Sequence, residues 1–225
     1  MADKKGKLTE SVHFLAWITF VGGFLNAYSY GTRNKFLCNG MTGNMSKMGI
    51  SLGQGNIGGF IDALTPVLCA IAGAVLSEVI RVSADKKKDW RRTALLVQAM
   101  LMAMVAFLPL SVPDVLVTRI LCLIVGYQLC LFRTCQWGAH NTTICTGNLR
   151  SVGQYLFSAV YDRTEGSKNR FVFYTLLVIS FSVGSFVATL LCSFMSTYAL
   201  LAACLVNIML YYMIRRDEEG AKAAA

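Results

Sequence analysis

The stretch Met41-Thr42-Gly43-Asn44-Met45-Ser46-Lys47-Met48-Gly49 returns in altered form as Cys145-Thr146-Gly147-Asn148-Leu149-Arg150-Ser151-Val152-Gly153. The two copies share Thr-Gly-Asn and, five residues on, a glycine. An offset of 104 positions relates them, and it also lays Val21-Gly22 on Val125-Gly126 and Leu52 on Leu156. Matching glycines in one register, with apolar blocks in the same order, mark an internal duplication. Further along, Gly73 pairs naturally with Gly184, at the price of a longer loop in the second half. Small residues of this kind let membrane helices approach closely.

Working outward, apolar blocks occupy residues 12–31, 63–82, 93–110, 115–132, 171–192 and 197–214. About 20 apolar residues cross a bilayer core as a helix. The composition agrees: 55% of residues are hydrophobic and 15% charged, against about a quarter charged in soluble domains. The chain is therefore expected to be an all-α integral membrane protein with six spanning helices and no separate soluble domain. Residues 1–110 and 111–225 form the two membrane repeats of one domain. Lys4, Lys5 and Lys7 resemble a signal n-region, but the apolar segment that follows is too long and lacks a cleavage site. It is read as a first span that stays in the protein.

The segments 33–53 and 133–161 are semi-apolar and carry polar residues where a bilayer centre would lie. Charge there costs at least a few kcal/mol, so they make poor simple spans. If each crosses, the halves have four spans and are parallel. If each enters and returns, the halves have three spans and are inverted. With the N-terminus inside, the second arrangement puts Arg81, the cations of the 86–92 loop, Arg133, Arg150, Arg163, Lys168, Arg170, Arg215, Arg216 and Lys222 inside. Only Arg33, Lys35 and Lys47 fall outside, so the positive-inside rule favours the inverted repeat, with both termini cytoplasmic. The reach is sufficient: residues 32–40, extended, cover about 30 Å, and a half-helix over 45–55 climbs about 15 Å back out.

Thr and Asn are good helix N-caps, and glycine permits the turn a broken helix needs. Thr42-Gly43-Asn44 and Thr146-Gly147-Asn148 thus read as the starts of two re-entrant half-helices that approach the midplane from opposite faces. Paired broken helices are a recurring way to build a substrate site, and their N-termini carry partial positive charge. Lys47 and Arg150 follow three positions after Asn44 and Gly147 and lie on similar faces. Asn26 and Gln128, inside spans, either join helices or line a path. Together these ten residues are the candidate substrate-binding set. Beside this stands a plainer reading, in which Thr and Asn only satisfy the backbone of a broken helix. Glu78 is expected to pair with Arg81, and Arg119 to extend to the interface.

Other chemistries find little support. The net charge of +9 belongs to cytoplasmic loops, with no basic–aromatic patch for nucleic acid. The eight cysteines form no C-x-x-C pair or zinc-type cluster. His13 and His140 have no partner at a telling spacing. Cys145 is a tempting nucleophile, but Met41 takes its place in the other copy. No acid, base and nucleophile converge, so an enzyme is not expected, nor any metal or cofactor.

Val21-Gly22-Gly23-Phe24-Leu25-Asn26-Ala27, Met41-Thr42-Gly43-Asn44 and Cys145-Thr146-Gly147-Asn148 together resemble the YoaK family. That resemblance covers nearly the whole chain and implies a six-span protein of the bacterial inner membrane with no established function. The family usually has Asp where this sequence has Asn26, so a proton or cation coupling carried by that Asp would be missing here. From the residues themselves, the expected function is a permease or channel for a small polar or anionic solute. The alternative is a non-transporting sensor or assembly partner. The lipid bilayer is the first partner, and a homo-oligomer stays open.

Overall fold

A computed structural model describes residues 8–84 and 90–223, without the side chains of 221–223. Lys4, Lys5, Lys7, the 86–88 cations and the Lys222 side chain lie outside the described residues. A short 3-10 turn precedes eight α-helices: α1 (Val12–Thr32), α2 (Met41–Gly53), α3 (Ile57–Ser83), α4 (Trp90–Ala106), α5 (Asp114–Leu129), α6 (Cys145–Tyr161), α7 (Glu165–Met195) and α8 (Leu200–Ala223). Between α5 and α6 lies a small hairpin, β1 (Thr134–Cys135) and β2 (Gly138–Ala139), which the sequence reading did not foresee. Side-chain caps set three of the helix starts. Ser11 accepts from the Phe14 N–H, Asn56 from Gly59 and Thr164 from Ser167, each satisfying an otherwise orphaned donor.

Every expected apolar block is helical, but not all are long. Among the described residues two helical runs, Ile57–Ser83 and Glu165–Gly220, the second turning at Ser196, are long and apolar enough to cross a membrane, holding 18-residue stretches of mean hydropathy 2.0 and 2.1 respectively. α4 and α5 have 17 and 16 residues, about 25 Å each, because they stop at Ala106 and Leu129, short of the blocks that contain them. The apolar residues of the long helices point outward. Ile61, Leu68, Ile71, Val75, Val79 and Val82 form an exposed stripe on α3, and Val172, Ile179, Val183, Phe186, Leu190 and Phe194 one on α7. Their steps of three, four and seven residues keep each set on one helix face.

The duplication reappears as geometry. α1 packs on α7 as α5 packs on α3, α2 lies on α3 as α6 lies on α7, and α4 lies against α8. In the first pair, a Cβ added to Gly23 would strike the Phe181 carbonyl, and one added to Gly184 the Phe20 carbonyl. In the second, Gly126 meets Ala70 and Gly73 meets Leu123 in the same way. These are backbone-to-backbone crossings that only glycine allows. Gly23 therefore stands where Gly126 stands, an offset of 103 rather than the 104 that aligns the motifs, and Gly73 stands where Gly184 does, an offset of 111. The expected pairing of Gly22 with Gly126 is off by one residue, because the loop absorbs the difference.

Equivalent helices run antiparallel. Phe14 of α1 meets Phe132 just beyond α5, Gln128 reaches the Ile18 carbonyl, and Arg33 just beyond α1 meets Asp114 at the start of α5. Likewise Arg92 of α4 holds Glu218 near the end of α8, and Phe107 meets Tyr198 at its start. Two apolar clusters fill the interior, one around Phe24, Leu121 and Val125 and one around Phe14, Tyr127 and Phe173.

Candidate functional site

After α1 the chain reverses. Asn34 and Lys35 take positive φ of 48° and 54°, and residues 36–39 run back along α1. Cys38 Sγ contacts the Leu25 carbonyl at 3.4 Å, the Asn39 N–H donates to Asn26 Oδ1 at 3.1 Å, and Asn39 Nδ2 donates to the Gly22 carbonyl at 3.2 Å. The loop tip thus sits beside the middle of α1, held there by Asn26. α2 starts from that depth, climbs to the Gln54 turn and hands over to α3.

The second loop reaches the same depth by another route. The β1–β2 hairpin is anchored where Tyr174 Oη donates to the Ala139 carbonyl at 2.8 Å. Beyond it Thr142 lies so close to α1 that a Cβ on Gly22 would strike its carbonyl. Gln128, fully buried, bridges elements: its Nε2 donates to the Ile18 carbonyl at 2.8 Å, and its Oε1 accepts from Gln98 Nε2 at 2.6 Å. The two loop tips touch where Asn39 Nδ2 donates to the Thr143 carbonyl. These residues are 104 apart, so the contact joins equivalent points of the two halves.

The Thr-Gly-Asn triplets follow the tips, but not as caps. Gly40 and Ile144 hold the cap positions without a side-chain bond, and the triplets fill the first helical turns. Thr42, Gly43, Thr146 and Gly147 are exposed, as are Lys47 and Arg150, while Asn44 and Asn148 point inward. No hydrogen bond joins the two triplets among the described residues; the preceding loops make the central contact. The two asparagines also differ. Asn148 is fully engaged, with Nδ2 donating to the Asn141 carbonyl at 2.7 Å and Oδ1 accepting from the Asn141 N–H at 3.1 Å. Asn44 is 5% exposed, and among the described residues its amide forms no hydrogen bond.

Asn44 borders a cavity of about 350 Å³ that opens at the Arg33 end of the bundle. Lys47 and Ser51, on the same face of α2, line it with Asp62 of α3 and Asp114, Thr118 and Arg119 of α5. Arg119 was expected to reach for an interface. It turns inward instead, with Nε donating to Thr65 Oγ1 at 2.8 Å and a terminal nitrogen to the Asp62 carbonyl at 2.9 Å. That carbonyl needs a donor because Pro66, four residues on, has no N–H. Arg33, fully buried yet bordering the cavity, donates to the carbonyls of Leu108, Pro109 and Val112 and pairs with Asp114 at 3.5 Å. Glu78 does pair with Arg81, at the opposite end of α3. At that opposite end Cys130, Arg133, His140 and Asn141 border a second cavity of about 350 Å³.

Of the ten candidate residues, Asn44 and Lys47 thus share a cavity. Asn26, Gln128 and Asn148 hold loops and helices in place, and Thr42, Gly43, Thr146, Gly147 and Arg150 face outward. Asp62 and Ser51 were missed, because neither belongs to the repeated motif. Ser51 had a signal in its spacing, seven positions after Asn44 on the same helix face, whereas Asp62, on α3, had none. No group of three or more His, Cys, Asp or Glu able to hold a metal ion occurs among the described residues. No curated protein and no solved structure matches the chain. A family model does match residues 14–213, nearly the whole of it, and the chain belongs to that family, DUF1275, described as a protein of unknown function.

Proposed function

We propose that the chain is a multi-pass permease or channel for a small polar or anionic solute, working in the bacterial cytoplasmic membrane. The observation that carries this reading is the cavity lined by a buried Asn44 whose Nδ2 has no partner among the described residues, beside a loop tip that meets its counterpart from the other half. Non-helical backbone at membrane depth persists where protein buries it or a water-filled path lines it, and an unsatisfied buried amide calls for a partner. A second cavity approaching from the other end fits a path that two contacting loops close in the middle.

Six spans in an inverted repeat fit the antiparallel course of equivalent helices, and the exposed apolar stripes of α3 and α7 suit lipid better than water. Cytoplasmic placement of both termini accords with the charges. Of the three cations that seemed misplaced, Arg33 is enclosed by carbonyls and paired with Asp114, and Lys47 faces a cavity, which leaves Lys35. The YoaK resemblance supplies the same membrane address. As the alternative, a non-transporting sensor or assembly partner would need Asn44 only for folding.

Asn44→Leu and Asn148→Leu separate the two. In purified protein, Asn44→Leu removes an amide that bonds to nothing, so the melting temperature should hold or rise while uptake into proteoliposomes is lost. Asn148→Leu breaks two hydrogen bonds to a buried loop, about 1–3 kcal/mol, so the melting temperature should fall. If Asn44→Leu keeps full flux per folded molecule, the cavity is not the transport site.

A further inference from the structure

The charges in the Asn44 cavity are not equally free. Of its five charged residues, Arg119 is occupied by Thr65 and the Asp62 carbonyl, Arg33 by three carbonyls, and Asp114 by Arg33. Two charged side chains are left. The Lys47 ammonium and the Asp62 carboxylate line the cavity from α2 and α3, and neither has an ion-pair partner within 4 Å among the described residues. They do not neutralise each other, although they face the same space. Beside them Asn44 lines the cavity, more than nine-tenths buried, with an Nδ2 donor that has no hydrogen-bond partner among the described residues. A volume of about 350 Å³ lies at the small end of ligand pockets.

The second half carries no such arrangement. By the offsets of the two halves, Lys47 corresponds to Ser151, Asp62 to Phe173, Val115 to Val12 and Arg119 to Ala16. A cavity of about 330 Å³ lies near that position, lined by Val12, Trp137, Asn169, Val172, Phe173 and Leu176, but no residue of α6 borders it, and the matching Asn148 is already bonded. The free cation and free anion are therefore not a by-product of the duplication. They belong to one cavity only, the one with the unbonded asparagine.

We infer that this cavity binds a small zwitterion, its carboxylate held by Lys47 and Asn44 and its ammonium by Asp62. The inference rests on the reading of this cavity as the solute site, and it narrows the solute to a class. A plain anion would meet the repulsion of Asp62, and a plain cation that of Lys47. A molecule carrying both charges a few bonds apart satisfies each, and a neutral polar solute satisfies neither fully.

The test is binding to purified protein in detergent, followed by calorimetry at pH 7 and low salt, with glycine, β-alanine and γ-aminobutyrate as zwitterions of increasing charge separation. Acetate and methylammonium serve as the two halves. At least one zwitterion should bind about tenfold or more tighter than either half. Lys47→Gln should weaken that zwitterion about tenfold and leave methylammonium no weaker. Asp62→Asn should weaken the zwitterion and strengthen acetate, a reversal that misfolding cannot mimic. Acetate binding as tightly as every zwitterion, with Asp62→Asn without effect, would overturn the inference and leave an anion site in place. Binding of none of the five would overturn it as well. Zwitterion binding without uptake into proteoliposomes would uphold the inference and sink the transport reading instead.

Discussion

Arg33 offers the sharpest energetic test of the fold. Replacement by Met keeps an unbranched side chain in a fully buried site but removes donors to the carbonyls of Leu108, Pro109 and Val112. Hydrogen bonds from a charged donor contribute about 1.5–3 kcal/mol each. Pro109 is exposed and Leu108 and Val112 half-buried, so water recovers part of the loss. The expected net cost is about 3 kcal/mol, or a fall in melting temperature on the order of 10 °C for a chain of this size. Asp114→Asn touches the same cluster, but its carboxylate is 40% exposed and 3.5 Å away, so it should cost less than about 1 kcal/mol. Thermal unfolding in detergent, followed by tryptophan fluorescence, reads both. If Asp114→Asn equals or exceeds Arg33→Met, the ion pair and not the carbonyl cage holds this corner, and the argument is refuted.

Gly23→Val should abolish folded, monodisperse protein in detergent by size-exclusion chromatography, because the Phe181 backbone occupies the space for its Cβ. Gly49→Ala, with nothing within 4 Å, should stabilise by up to about 1 kcal/mol through helix propensity, read as a raised melting temperature. Arg119→Met should destabilise, and Pro66→Ala should offset part of that loss by restoring an N–H to the Asp62 carbonyl; a double-mutant cycle with coupling near zero would show the two to be independent. In a cysteine-free background, impermeant thiol reagents should label a cysteine at Gln54 from outside intact cells and one at Thr164 only after lysis. Labelling of both from one side would refute the inverted arrangement.

The helical blocks and the duplication were legible because apolar runs and glycines at fixed offsets carry their own physics. The breaks before α2 and α6 were legible from polar residues interrupting the apolar pattern. The difference between Asn44 and Asn148 was not, since identical triplets differ only in whether a loop backbone comes within reach. That depends on the hairpin before α6 and the longer connection it creates. Arg33 looked like a misplaced charge because sequence does not reveal which carbonyls gather around a guanidinium. Arg119 was misread for the same reason, although Pro66 was in plain view: the helix bond that proline removes names an orphaned carbonyl but not the distant side chain that will serve it. The one-residue slip at Gly23 was hidden because Gly22 and Gly23 are adjacent, and only the crossing with α7 distinguishes them.

The unequal cavities say something about why two halves share one polypeptide. Were this fold assembled from two identical short chains, every residue would occur twice. Asp62 would then recur where Phe173 now packs against Trp137. Each mutation that improved one face would alter the other by necessity. Fusion removes that obligation. Once joined, one half is free to become a scaffold, with its asparagine tied down, while the other keeps unpaired charges along its cavity.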